Sequence, residues 1–346
     1  MSSMRLPAPP ISPKTTYAAI RALIVQYKRQ NVDGDTFVLV EPLTRALEAQ
    51  YQDLDNALYH VIREAHEMFS AEPTGIDPVD LPSMRRILYC LLDLEHPELL
   101  PSFHPFKDVH LPICEEDLMA KLEEQTLEEK FDETYGDFPA LWLRNQPSWC
   151  PFIFEPGPRL RVRVPPQCII PFYSKRALRS HDHGQEPHDN RAKLYEVHIP
   201  DDLIKSSVLE PSQLMRYDDP VSSALSSPVN LSPKLTPHQP GSEKRTYWRF
   251  ALKEFPESLK QSWEREVLAF RALGAQSGII TYYGCYESET RHGRHTFSIL
   301  LEFADYDLNG TIREEEPPVS PDEIKSFYES MQELAVTLSN IHCLDI

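Results

Sequence analysis

Glycine is scarce in this chain: there are 11 glycines among 346 residues, against 32 prolines. Few backbone positions can therefore adopt positive φ cheaply, and stiff connections are expected in place of glycine-rich linkers. The six cysteines, Cys90, Cys114, Cys150, Cys168, Cys285 and Cys343, lie far apart with no C-x-x-C pair. That spacing indicates neither a zinc site nor a disulfide framework, and leaves reduced, partly buried thiols as the expectation. No stretch approaches the roughly 18 consecutive apolar residues of a membrane span, and MSSMRLPAPPISPKTT at the N-terminus lacks the apolar run of a signal peptide. An intracellular protein, cytoplasmic or nuclear, is expected. Basic residues are in deficit: 35 Lys and Arg stand against 53 Asp and Glu, a formal charge of -18. Such a balance argues against nucleic acid and against anionic membrane surfaces as partners.

The length allows about two domains. Residues 1–15, rich in Pro and Ser, read as a disordered lead-in. Residues 16–137 read as a helical region of unassigned role. Tyr17, Ile20, Ile24 and Tyr27 share one face, Leu43, Leu47, Tyr51, Leu54, Leu58, Val61 and Ile62 carry the pattern further, and Met84, Ile87, Leu88, Leu91 and Leu92 mark another helix. In the acidic stretch EEDLMAKLEEQTLEEKF, Leu118, Leu122 and Phe131 are apolar and the charged face reads as solvated. An aromatic and proline-rich connector is expected over 138–167, where the texture changes at FPALWLRNQPSWCPFIFEPGP. RLRVRVPPQCIIPF then alternates as strands do. AKLYEVHI, Ala192 to Ile199, is another strand candidate. Between Pro200 and Arg245 the composition is too polar to order itself, so 200–245 reads as a flexible insertion.

Within TYWRFALKEF, Lys253 sits among apolar neighbours in a strand pattern. A buried ammonium is costly unless it is paired or meets an anion. SLKQSWEREVLAFRAL supplies a partner: Leu259, Trp263, Val267 and Phe270 make one helical face, with Glu266 beside that seam. A carboxylate there can clamp the lysine, and the clamped lysine can meet phosphate oxygens. Further on, Ser320 and Glu323 form an S-x-x-E capping box around Pro321. From it Ile324, Phe327, Tyr328, Met331, Leu334, Leu338 and Ile341 run as an apolar stripe along a long helix, which invites self-association if nothing covers it.

The succession ALKEF, WEREVLAFRAL, GIITYYGCYES, FSILLEFADYDL and the capped helix ending LSNIH resembles the protein kinase fold, from its third strand to the helix before the catalytic loop. QCIIPFYSKRAL and AKLYEVHIPDD look like the first two strands, and the wording is similar to kinase-like proteins of filamentous fungi. The resemblance covers roughly Cys168 to Ile346. It implies an α+β chain: a helical N-terminal region, then at 168–346 a partial kinase-like domain with a twisted antiparallel five-stranded sheet, one helix and a long C-terminal helix. It also implies ATP binding and Ser/Thr protein phosphotransfer in a complete relative, with magnesium. Carried over residue by residue, Lys253 faces the phosphates, Glu266 pairs with it, and Ala251 and Leu194 lie beside the nucleotide. Leu301 would be the gatekeeper, and backbone groups of Glu302 and Ala304 would bond adenine.

Two departures are visible. The three glycines of the family's phosphate loop correspond to Pro187, Asp189 and Ala192, with Gly184 nearby, so nucleotide binding should be weakened. The sequence stops at IHCLDI, where His342 matches the end of the long helix and Asp345 lies too close behind it to be the base. No H-R-D-x-x-x-x-N and no D-F-G occurs in the 346 residues. The chain as given is therefore expected to be inactive in phosphotransfer, and a non-catalytic, pseudokinase-like regulatory module that holds a protein partner is the alternative. Ser227, Ser232 and Thr236, each followed by proline, could take phosphate. His181, His183 and His188 lie close together with Asp182 and Asp189, and a solvated loop is expected there rather than a metal site.

Overall fold

Apolar residues at helical spacing bury themselves as one core in the N-terminal part of the computed structural model, which describes residues 13–67, 75–124, 137–157, 161–178, 191–205, 216–218, 246–273, 279–289, 293–304 and 317–342. The chain is a mixed α+β protein of two compact units, Met1–Pro151 with Gln167–Ile170, and Phe152–Pro166 with Pro171–Ile346.

In the first unit the helices are α1 (Pro13–Tyr27), α2 (Val40–Gln50), α3 (Leu54–Glu67), α4 (Arg85–Asp93), α5 (Glu115–Glu124) and α6 (Phe138–Asn145), with short 3-10 turns between them. Ile20, Ile24, Leu43, Leu47, Leu58, Ile62, Leu88 and Leu91 meet in the core, as the spacing requires. The pattern that reads continuously from Leu43 to Ile62 is broken at Tyr51–Asp53, where Asp53 Oδ1 accepts from the N–H of Asn56 and starts α3. Not every element of this region is helical. Lys28–Gln30 (β1) and Thr36–Val38 (β2) form an antiparallel hairpin that the sequence reading had not placed. Its turn is organised by Asn31, whose Oδ1 accepts from the N–H groups of Asp33 and Asp35 at 3.0 and 2.8 Å. Phe138, Trp142 and Trp149 lie in this same core. The expected 138–167 connector is thus shared between the two units rather than standing apart from both.

The second unit is built on a sheet whose strands are β3 (Arg161–Arg163), β4 (Ser174–Ala177), β5 (Lys193–Pro200), β6 (Arg216–Asp218), β7 (Thr246–Pro256), β8 (Tyr282–Glu289) and β9 (His295–Glu302). Their order is β3-β8-β9-β7-β5-β4, and β6 pairs with the start of β7 outside that path. The expected five-stranded antiparallel sheet is therefore corrected to a larger, mixed one. Five strands do run antiparallel, β4-β5-β7-β9-β8. A parallel sixth is added because the free edge of β8 takes up Arg161–Arg163, with the Val164 N–H donating to the Glu287 carbonyl at 2.8 Å. Of the 200–245 stretch expected to be flexible, residues 200–205 and 216–218 are described and are tied to the sheet: Leu203 and Ile204 are buried, and Lys205 N–H donates to the Phe154 carbonyl.

Alternation along β7 sends its side chains to two buried faces. Phe250 and Leu252 point to an aromatic layer, in which Phe154 packs at 6.0 Å on Phe172 and 6.1 Å from Tyr286, while Phe250 meets Tyr283 at 5.4 Å. Ala251 and Phe255 point to the other face, covered by α7 (Lys260–Leu273). A bulge in β8 between Tyr282 and Gly284 keeps Tyr282 and Cys285 on that second face despite their odd spacing. Gly284 sits there at φ 130°, a conformation open only to glycine. Gly284→Val is expected to cost roughly 1–3 kcal/mol of stability, read as a lower urea midpoint with unchanged slope.

The last helix is α8 (Pro321–His342). Its capping box forms as the sequence reads: Ser320 Oγ accepts from the Glu323 N–H at 3.2 Å, and Glu323 Oε2 accepts from the Ser320 N–H at 3.0 Å. The backbone N–H groups of Ser320 and Val319, both donating to Glu323 Oε2, hold that carboxyl below its usual range. Ile324, Phe327, Tyr328 and Leu338 are exposed on this helix.

Candidate functional site

Lys253 lies near the centre of β7, between Leu194 of β5 on one side and Ile299 of β9 on the other. Its ammonium is placed by α7, which docks on the sheet through Trp263 and Val267, both buried. Trp263 Nε1 donates to the Ser298 carbonyl at 3.3 Å, and Phe270 stacks on Tyr282 with centroids 5.5 Å apart. Glu266 precedes Val267 on this helix and so leans over the edge of the seam toward the strand. Lys253 Nζ donates to both of its carboxylate oxygens, each at 2.7 Å. The two side chains are 32% and 28% exposed, so the pair stands at a surface that solvent or a ligand can reach. Phe255 supplies a ring 5.3 Å from the same ammonium.

The other residues singled out by sequence fall around this pair. Ala251 and Leu301 are register partners on β7 and β9, both buried, on the same face as Lys253. Leu194 is directly across from Lys253 and is 40% exposed, an apolar side chain held open beside a cation. Glu302 ends β9: its N–H donates to the Thr281 carbonyl at 2.8 Å, and its Oε2 accepts from the Thr281 hydroxyl at 2.7 Å. Burial, with the Glu302 carboxylate adding to it, pushes the neighbouring Tyr283 hydroxyl up to about 12. Ala304 is exposed just beyond the strand. Ala192, the last of the three positions matched to glycine, packs partly buried against the Ala251 cluster. Gly184, Pro187, Asp189, the histidine cluster at 181–188, the Ser-Pro and Thr-Pro sites at 227–237, Cys343 and Asp345 lie outside the described residues. Among the described residues, no group of three or more His, Cys, Asp or Glu side chains is placed to hold a metal ion.

One part of this face was missed by the sequence reading. Glu196, cross-strand from Ala251, is buried with its side chain 7% exposed, and Arg176, His198 and Arg249 surround its carboxylate. The signal was available in the alternation of KLYEVHIP, which puts Leu194, Glu196 and His198 on one side of the strand.

Chemically, the face offers a clamped cation, a small and an apolar side chain beside it, and a strand end with polar backbone. No helix among the described residues is long and apolar enough to cross a membrane. Comparison with protein-family models, with curated proteins and with solved structures returned no match to this chain.

Proposed function

We propose that the sheet-bearing unit binds a nucleotide in the manner of the small lobe of a protein kinase, with Lys253 as the contact to the phosphates. The observation that carries this reading is the pairing of Lys253 with both oxygens of Glu266, on the face that also holds Ala251, Leu194 and Leu301. The antiparallel run β4-β5-β7-β9-β8, with one helix on the lysine's face, supports the partial kinase-like fold.

Chemistry follows from which groups are present. A phosphoryl transfer needs a carboxylate to orient the acceptor hydroxyl and oxygen ligands for magnesium. These 346 residues contain neither an H-R-D-x-x-x-x-N nor a D-F-G sequence. The role proposed for this polypeptide is therefore nucleotide binding without transfer. Glu266 keeps the ammonium aimed along the sheet surface, and the apolar pair Ala251 and Leu194 excludes water from one side of a base.

Titration calorimetry with ADP and with adenosine, each with and without magnesium, tests the reading. ADP is expected to bind more tightly than adenosine, with saturating heat and a rise in melting temperature. Absence of binding by both ligands at millimolar concentration would remove the proposal. Incubation with radiolabelled ATP and generic protein substrates is expected to show no transfer, and transfer that disappears with Lys253→Met would overturn the non-catalytic part.

A further inference from the structure

We propose that Arg249 is a positioning residue for the backbone of Glu302–Ala304, the strand end at which a base would be met; the inference rests on the nucleotide reading above. The guanidinium of Arg249 lies over the ring of Phe303, with its carbon 3.8 Å from the ring centroid. Arg249 precedes Ala251 by one alternation on β7, so its side chain leaves the same face of the sheet as Ala251 and Lys253. Its Nη1 is 3.8 Å from Glu196 Oε1, and its side chain is 13% exposed. Glu196 is itself fixed: Arg176 donates to Oε2, and His198 Nε2 stands 3.2 Å from Oε1. A chain of contacts therefore runs from β4 and β5 through Arg249 to the ring that follows Glu302. On its other side, Glu302 is tied to Thr281 through both backbone and carboxylate. The corner is held between Thr281 on one flank and the Arg249 stack on the other.

A guanidinium is planar and delocalised, and this makes the inference testable. A lysine at 249 preserves a positive charge for Glu196 but cannot lay a flat delocalised group on a ring. Without that surface Phe303 gains rotamers, and the backbone beside it samples orientations that a bound base would have to order again at a cost in affinity. The loss falls on the base, not on the phosphates, because Lys253 and Glu266 are untouched.

The experiment compares wild type, Arg249→Lys, Phe303→Leu, Phe303→Tyr and the double variant Arg249→Lys/Phe303→Leu in the full chain, by calorimetry with adenosine and with ADP. Amide hydrogen exchange of the peptide covering Glu302–Ala304 is measured in parallel without ligand. Arg249→Lys is expected to weaken both ligands by the same factor, roughly 5- to 10-fold, leaving the ratio of ADP to adenosine affinity as in wild type. Exchange at Glu302–Ala304 should become faster, Phe303→Tyr should keep wild-type affinity, and the double variant should be no worse than either single change. Wild-type adenosine affinity and wild-type exchange in Arg249→Lys would overturn the inference. If wild type binds neither ligand, the nucleotide reading falls, and the ligand-free exchange rates still decide by themselves whether Arg249 holds the corner.

Discussion

Lys253→Met is expected to weaken ADP binding by roughly 10- to 100-fold, the range given by losing one charge-assisted contact worth about 1.5–3 kcal/mol. Adenosine, which carries no phosphate, should bind the variant as it binds wild type. Methionine keeps the length and apolar stem of lysine, so the strand position is still filled. What disappears is the ammonium, leaving Glu266 without its cation, and because the pair is about one-third exposed that carboxylate can turn to water. The cost to folding should be small, about 1 kcal/mol or less. Glu266→Gln makes the complementary change: the ammonium stays but loses its clamp, so ADP affinity should fall by less than in Lys253→Met. Calorimetric titrations of the three proteins decide the matter. Equal ADP affinity in wild type and Lys253→Met would mean that the ammonium is not turned toward the nucleotide.

The largest stability effect is expected from Trp263→Ala. The indole is buried in the cluster formed by Ala251, Phe255, Tyr282, Phe297, Ile299 and Leu301. Its centroid is 5.0 Å from that of Phe297, and its N–H satisfies the Ser298 carbonyl. Truncation removes the transfer energy of a large ring and leaves a cavity beneath α7, about 3–5 kcal/mol together. A domain stable by about 5–15 kcal/mol would lose a large part of its margin. Denaturant titration followed by circular dichroism should show the midpoint falling sharply. Trp263→Phe, which keeps a ring but loses the N–H, should fall less. Because α7 also carries Glu266, the alanine variant should lose ADP affinity even at temperatures where it stays folded. Wild-type stability in Trp263→Ala would mean that α7 does not depend on this contact to dock.

The Lys253–Glu266 pair was legible in the sequence because its signals are local. An out-of-place cation in an alternating strand states its own need for a partner, and Glu266 falls next to a stripe of Trp263, Val267 and Phe270 that can only face the sheet. The capping box at Ser320 and Glu323 was readable for the same reason, since all its groups lie within four residues. Features whose cause is remote were not readable. RLRVRV shows the alternation of a strand, and Arg161–Arg163 is one, but its parallel place at the edge of β8 depends on a segment that arrives much later in the chain. The Lys28–Val38 hairpin is likewise two strands of three residues, tied by an Asn-centred turn inside an otherwise helical region. Arg249 and Phe303 were missed because nothing in either neighbourhood announces the other: the two meet only through the pairing of β7 with β9. The aromatic run from Phe152 to Phe154 showed its composition but not its destination, which is the far face of the sheet.

The chain passes between its two units more than once, since Phe152–Pro166 belongs to the sheet unit and Gln167–Ile170 returns to the helical one. No single scission can free either unit whole. A fragment starting at Cys168 would be missing the edge strand at 161–163 and the Phe152 and Phe154 rings, and would lay bare an oily flank of the sheet together with an unsealed margin of β8. Inheritance of this architecture by shuffling of separate modules would have to move both halves at once.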